Sequence, residues 1–94
     1  MKITGFLWLD EYVNKLEDKH TVYVEEVEQL FANKPQLRHL QRGKLHGEDL
    51  YRALGQTDEG RYLVVFFIYK RGGKELPISA RDMDEKERKS YGRK

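Results

Sequence analysis

With 94 residues, 38% of them hydrophobic and 36% charged, the chain can form one domain, spanning residues 1–94, around a modest core. Its apolar residues cluster, which excludes disorder, and the lack of cysteine excludes a disulfide framework and a thiolate metal site. The net charge of +2 conceals a split: residues 1–33 carry three basic and seven acidic side chains, residues 34–94 fifteen and nine. Two faces with different partners are one reading of that split, and chance segregation on a solvated surface is the other. No apolar run approaches the ~20 residues that span a bilayer, so no membrane segment is expected. Met1 to Trp8 runs too soon into Asp10-Glu11 for a signal peptide, and the expected location is the cytoplasm.

In chain order, Ile3 to Leu9 is aromatic and β-branched and predicts a first strand. Asp10 offers an N-cap. Leu9, Tyr12, Val13 and Leu16 then recur at helical spacing, predicting a helix that ends near Lys19-His20. Val24, Val27, Leu30 and Phe31 repeat that spacing with Glu25, Glu26 and Glu28 opposite, and Asn33-Lys34-Pro35 stops this second helix. Gln36 to Arg42 alternates only loosely, a weak strand signal, and Gly43 and Gly47 bracket a turn.

Asp49 to Gln56 predicts a strand with Leu50, Arg52 and Leu54 on one face and Tyr51 and Ala53 on the other. Thr57-Asp58-Glu59-Gly60 is a hairpin turn signal. Tyr62 to Tyr69 is continuously apolar and predicts a central strand covered on both faces. After the turn at Lys70 to Lys74, Leu76, Ile78 and Ala80 alternate as a last strand, with Pro77 marking its start or an outward edge. Asp82 with Glu85 resembles the capping box of a final helix. Hairpin turns imply antiparallel pairing. The expected class is α+β: an antiparallel sheet of four to five strands, two N-terminal helices and one C-terminal helix. That last helix has almost no apolar stripe, only Met83 and Tyr91, so its ordered cations call for a phosphate backbone or a docked chain.

Four blocks, in order, carry a family resemblance. The first runs from Phe6 through Trp8, Asp10-Glu11, Lys19-His20, Val22 and Glu25-Glu26 to Phe31. The second is Gly47-Glu48-Asp49 through Tyr51 to Ala53-Leu54-Gly55, and the third is Gly60-Arg61 with the strand to Tyr69-Lys70. The most specific is Ile78-Ser79-Ala80-Arg81 with Glu87-Arg88 and Tyr91. Over nearly its whole length the chain resembles the BrnT family of bacterial toxins, whose fold is similar to that of the RelE-like ribonucleases. It departs from the family pattern at Tyr12, where many members carry lysine, at Leu16, where they often carry asparagine, and at Leu50, where an arginine often follows the acidic pair. Arg52 leaves the same strand face as Leu50 and can supply that cation, displaced by about 7 Å.

The resemblance implies a ribonuclease toxin of a type II toxin–antitoxin pair, neutralised by a cognate antitoxin, with RNA as substrate. The alternative is a non-catalytic module of the same fold that binds an antitoxin or RNA. RNA cleavage by 2′-OH attack needs no metal or cofactor, only a base, an acid and cations for the phosphorane charge. Arg52, Arg81 and Arg88 are the candidate cations, since a guanidinium grips phosphate with two donors and keeps its charge. Arg81 and Arg88 can converge on one phosphate; the bland alternative for Arg81 is an ion pair with Asp84 or Glu85, and for Arg88 a solvated helix face or an i−4 pair with Asp84. His20 is the candidate acid–base group, or else only a helix-end residue favoured by the dipole. Tyr91 and Tyr69 can donate a proton or stack on a base, and Lys19, Lys70 and Arg71 complete the expected RNA-binding set. Glu87 either orients an arginine or is plain surface. His39 and His46 fit no metal-ligand spacing and read as surface residues, His46 lying near the acidic pair.

Overall fold

The computed structural model describes residues 1–44 and 48–93. The order is β1 (Gly5–Phe6), α1 (Asp10–His20), α2 (Val24–Ala32), β2 (Gln36–Gln41), β3 (Asp49–Gln56), β4 (Tyr62–Tyr69), β5 (Lys74–Asp82) and α3 (Glu85–Gly92). The five strands form one sheet in the order β1-β5-β4-β3-β2, which puts the apolar β4 at the centre as its composition predicts. The pairs β2–β3, β3–β4 and β4–β5 are antiparallel. The pair β1–β5 is parallel, so the expected all-antiparallel sheet is mixed at one edge.

Three local expectations shift. β1 is two residues, not the full stretch from Ile3 to Leu9: it pairs only Gly5 with Lys74 and Phe6 with Glu75 before the chain turns into α1. Leu9, not Asp10, occupies the N-cap of α1, and Asp10 and Glu11 lie in its first turn, where the dipole favours them. The capping box of α3 is Asp84 with Glu87, two residues later than Asp82 with Glu85. Pro77 lies inside β5, opposite Phe67 at a register shift and past the end of the β1 ladder, where no strand needs its missing N–H.

Alternation along the strands builds two cores. Leu16 of α1 and Val27 and Leu30 of α2 pack with Ala53, Leu63, Val65, Phe67 and Ala80 on one face. Gly55 lets α2 approach this closely: a Cβ there would sit 2.8 Å from Leu30 Cγ. On the other face Leu54 and Val64 pack with Met83 and Tyr91, the two apolar residues of the last segment, and with Tyr62 and Phe66. Helix α3 has eight residues and covers only the Tyr62 end of that face. Among the described residues no other helix covers the rest of it.

Two charged residues stand out in this frame. Glu75 pairs with Tyr69 on the face covered by α1 and α2, is wholly buried, and has no hydrogen-bond partner for either carboxyl oxygen among the described residues. Burial pushes its carboxyl up to about 9.

Arg61, just before β4, is a staple between elements. Its guanidinium donates to Asp82 Oδ1 (Nε, 2.8 Å), to Glu26 Oε1 (Nη1, 3.1 Å), and to the carbonyls of Thr21 (2.7 Å) and His20 (3.1 Å). It thereby satisfies carbonyls at the end of α1 and ties α2 to the end of β5. Arg61→Ala is expected to cost about 2–4 kcal/mol, read as a lower denaturation midpoint with an unchanged slope.

Candidate functional site

The open part of the α3-side face is lined by a transverse row. Arg38 on β2 is directly opposite Arg52 on β3, Arg52 is opposite Phe66 on β4, and Phe66 is opposite Ser79 on β5. All lie on the α3 side, because Arg52 is two residues from Leu54 and Phe66 two from Val64, both in the α3-side core. Arg81 joins the row from the end of β5, and its guanidinium lies 5.6 Å from the Phe66 ring centre.

Arg81 is held by Glu87 through two parallel bonds, Nη1 to Oε1 at 2.8 Å and Nη2 to Oε2 at 3.0 Å. The pair forms with Glu87, not with Asp84 or Glu85, because the Asp84 carboxylate caps the Glu87 N–H and Glu85 points to solvent, while Glu87 is buried. Glu87 also accepts from the Asp84 N–H at 2.9 Å. Arg81, then that backbone bond, then Arg52 hold its carboxyl below the usual range despite burial. Glu87 therefore orients Arg81 and stays ionised. Arg52 makes no such commitment: its Nε is buried without a hydrogen-bond partner among the described residues.

Arg88 lies 4.1 Å from the Tyr62 ring centre. Tyr62 and Phe66 are four residues apart on β4, about 13 Å at strand rise, so Arg88 and Arg81 stand over different rings. Tyr91 is buried in the α3-side core, its ring edge-on to Tyr62 and its carbonyl accepting from Gln36.

The other sequence candidates are dispersed. His20 and Lys19 end α1, with His20 beside Asp82, and α1 covers the opposite face. Tyr69 packs against that opposite core, and its hydroxyl donates to the Lys2 carbonyl at 2.6 Å. Lys70 pairs with Glu48, and Arg71 is exposed in the β4–β5 turn. Lys19 ends α1 on the opposite face, and Arg71 lies in the turn beyond Tyr69, about 10 Å along β4 from the Phe66 position of the row. His39 is more than a bare surface residue: its Nε2 lies 2.9 Å from Asp49 Oδ2 and its ring is edge-on to Tyr51. His46 and Gly47 lie outside the described residues. Among the described residues no group of three or more His, Cys, Asp or Glu can hold a metal.

Arg38 escaped the sequence reading because β2 alternates poorly. Once the β2–β3 hairpin register is known, Arg38 falls opposite Arg52. A cavity of about 190 Å³ adjoins the row, lined by Leu50, Ile68 and Ile78 with Gln41, Arg42 and Glu48. A wider apolar groove of about 480 Å³, lined by Ile3, Phe6, Phe31 and Leu37, has no basic side chain in its wall and belongs to the helix-covered side.

A family model described as "Ribonuclease toxin, BrnT, of type II toxin-antitoxin system" matches residues 8–87. The chain belongs to the BrnT family. The matched span contains Arg38, Arg52, Arg81 and Glu87, while Arg88 and Tyr91 lie just beyond it. The crystal structure of the Brucella abortus ribonuclease toxin BrnT is similar in fold, with a TM-score of 0.63 at 13% identity, covering 87% of this chain and 99% of that one. The α+β architecture, with three helices on a five-stranded mixed sheet, is thus a BrnT architecture. No curated protein matches the sequence. Among the described residues no helix is long and apolar enough to cross a membrane, whereas family membership implies an antitoxin partner and an RNA target.

Proposed function

We propose that this BrnT-family chain cleaves RNA on the open α3-side face, without a metal, and that a cognate antitoxin neutralises it in the cytoplasm. The observation that carries the reading is the uncommitted Arg52, with buried Nε, between Arg38 and the Glu87-held Arg81. Two or more guanidinium groups on one open face supply the charge that a divalent ion would otherwise bring to a phosphorane.

In the reaction the 2′ oxygen loses its proton to a base and attacks the adjacent phosphorus. The P–O5′ bond breaks, the 5′ oxygen takes a proton, and a 2′,3′-cyclic phosphate remains. Arg52 and Arg81 stabilise the extra negative charge on the non-bridging oxygens. Glu87 is a positioning residue: it fixes the plane of the Arg81 fork and can cede one of its two bonds to phosphate. Arg88, stacked on Tyr62, flanks the site and meets the chain farther along.

Controlled expression tests the reading. The expected result is growth arrest with fragmented cellular RNA, relieved when the antitoxin from the adjoining reading frame is co-expressed. Normal growth and intact RNA, with folded protein present, would instead fit a non-catalytic binding module.

A further inference from the structure

We infer that Arg38, opposite Arg52 on the edge strand, forms a second phosphate subsite, so that the chain grips single-stranded RNA through consecutive phosphates laid across the strands from β5 toward β2. This rests on the proposed RNA-directed function and extends the site beyond the reacting phosphate.

Arg38 and Arg52 are directly opposed in the antiparallel ladder and share the α3-side face. Like charges in that position repel. Neither has a carboxylate within salt-bridge distance among the described residues, in contrast to Arg61 and Arg81. An anion between them would turn the repulsion into two charge-assisted contacts. β2 is the sheet edge and Arg38 is exposed, so nothing in the described fold covers it. Neighbouring strands are about 4.8 Å apart, so the row from Arg81 to Arg38 runs about 14 Å, more than one phosphate can occupy.

The cavity beside the row selects the form of the nucleic acid. Leu50 is two residues from Arg52 on the same face of β3, about 7 Å away. With Ile68 and Ile78 it lines a mainly apolar recess of about 190 Å³ shared with Gln41, Arg42 and Glu48, and the Gln41 amide can meet a base edge. Only an unstacked base can turn into such a recess while its phosphates stay on the arginines, which favours a single strand over a duplex.

The test measures binding of a short single-stranded oligoribonucleotide, 2′-O-methylated throughout so that it cannot be cleaved, as a function of salt. Arg38→Gln is expected to weaken binding roughly tenfold at low salt and to flatten the slope of log K against log salt by about 0.7, the loss of one phosphate contact. Arg38→Lys should retain the slope, and Lys15→Gln, on the exposed side of α1, should behave as wild type. If the wild type binds and Arg38→Gln keeps its full slope and affinity, the second subsite is wrong while the RNA-directed function stands. If the wild type does not bind the oligonucleotide at all, both fall.

Discussion

Arg52→Ala is expected to slow RNA cleavage by about 10²–10³-fold and to leave the melting temperature little changed. Both halves follow from the same geometry. In the proposed mechanism Arg52 brings a guanidinium to the reacting phosphate, and in the fold its Nε has no hydrogen-bond partner among the described residues. It also faces Arg38 across the ladder, so its removal relieves repulsion between like charges, which offsets the loss of its attraction to the Glu87 carboxylate. Arg81 gives a less clean result. From sequence alone, Arg81→Ala with Arg88→Ala should abolish growth arrest at little cost in stability. Yet Arg81→Ala strands the Glu87 carboxylate, whose side chain is only 11% exposed, and should cost on the order of 1–3 kcal/mol besides activity. Cleavage rates and melting curves of the two single variants separate these cases. An Arg52→Ala protein that cleaves at the wild-type rate removes Arg52 from the mechanism.

Glu75→Gln should stabilise the protein by about 3 kcal/mol near pH 7 and remove most of the stability loss between pH 5 and pH 8. Glu75 is fully buried, and its carboxyl is raised from 4.5 to about 9 by burial. A folded-state pKa above the unfolded one means that the native state holds a proton the unfolded chain has released. The stability this confers is complete below pH 4.5 and is lost as pH rises toward 9, at about 1.4 kcal/mol per unit. Asp49, Asp82 and Glu87 act in the opposite sense, because their carboxyls are lowered by hydrogen bonds and nearby cations. Their contribution disappears only as pH falls below the usual carboxylate range, so the two effects occupy separate windows. Urea melts of both proteins at pH 5 and pH 8 read the difference directly. Parallel pH dependence in wild type and Glu75→Gln would show that the carboxyl is not held neutral.

The architecture was legible where hydrophobic period and turn chemistry agree. The run from Tyr62 to Tyr69 reads as a central strand because both of its faces are apolar, and it is β4 at the middle of the sheet. The helices α1 and α2 follow from the spacing of Leu16, Val27 and Leu30, which reach one core. β1 was overestimated because its aromatic residues, Phe6 and Trp8, stack in a corner over Phe31 instead of continuing a ladder. A two-residue parallel pairing leaves no local sequence mark, since its partner Lys74 is 69 positions away.

The candidate site was only partly legible. Arg52 and Arg81 were visible as basic residues on strands, and Glu87 as a neighbour that orients one of them. The Arg38–Arg52 opposition was hidden because it depends on the register of a weakly patterned strand. His20, Lys19, Tyr69, Lys70 and Arg71 look catalytic or RNA-binding as residue types, yet the fold distributes them between the other face and the far turn. Charge in a sequence does not reveal the face it will occupy.

The most direct test of the central claim is to incubate the purified chain with single-stranded RNA in excess EDTA and to analyse the new ends. Fragments ending in 2′,3′-cyclic phosphate and 5′-hydroxyl, lost in Arg52→Ala, are the expected result. RNA that remains intact with folded protein, or cleavage that vanishes with EDTA and returns with a divalent metal, would contradict it.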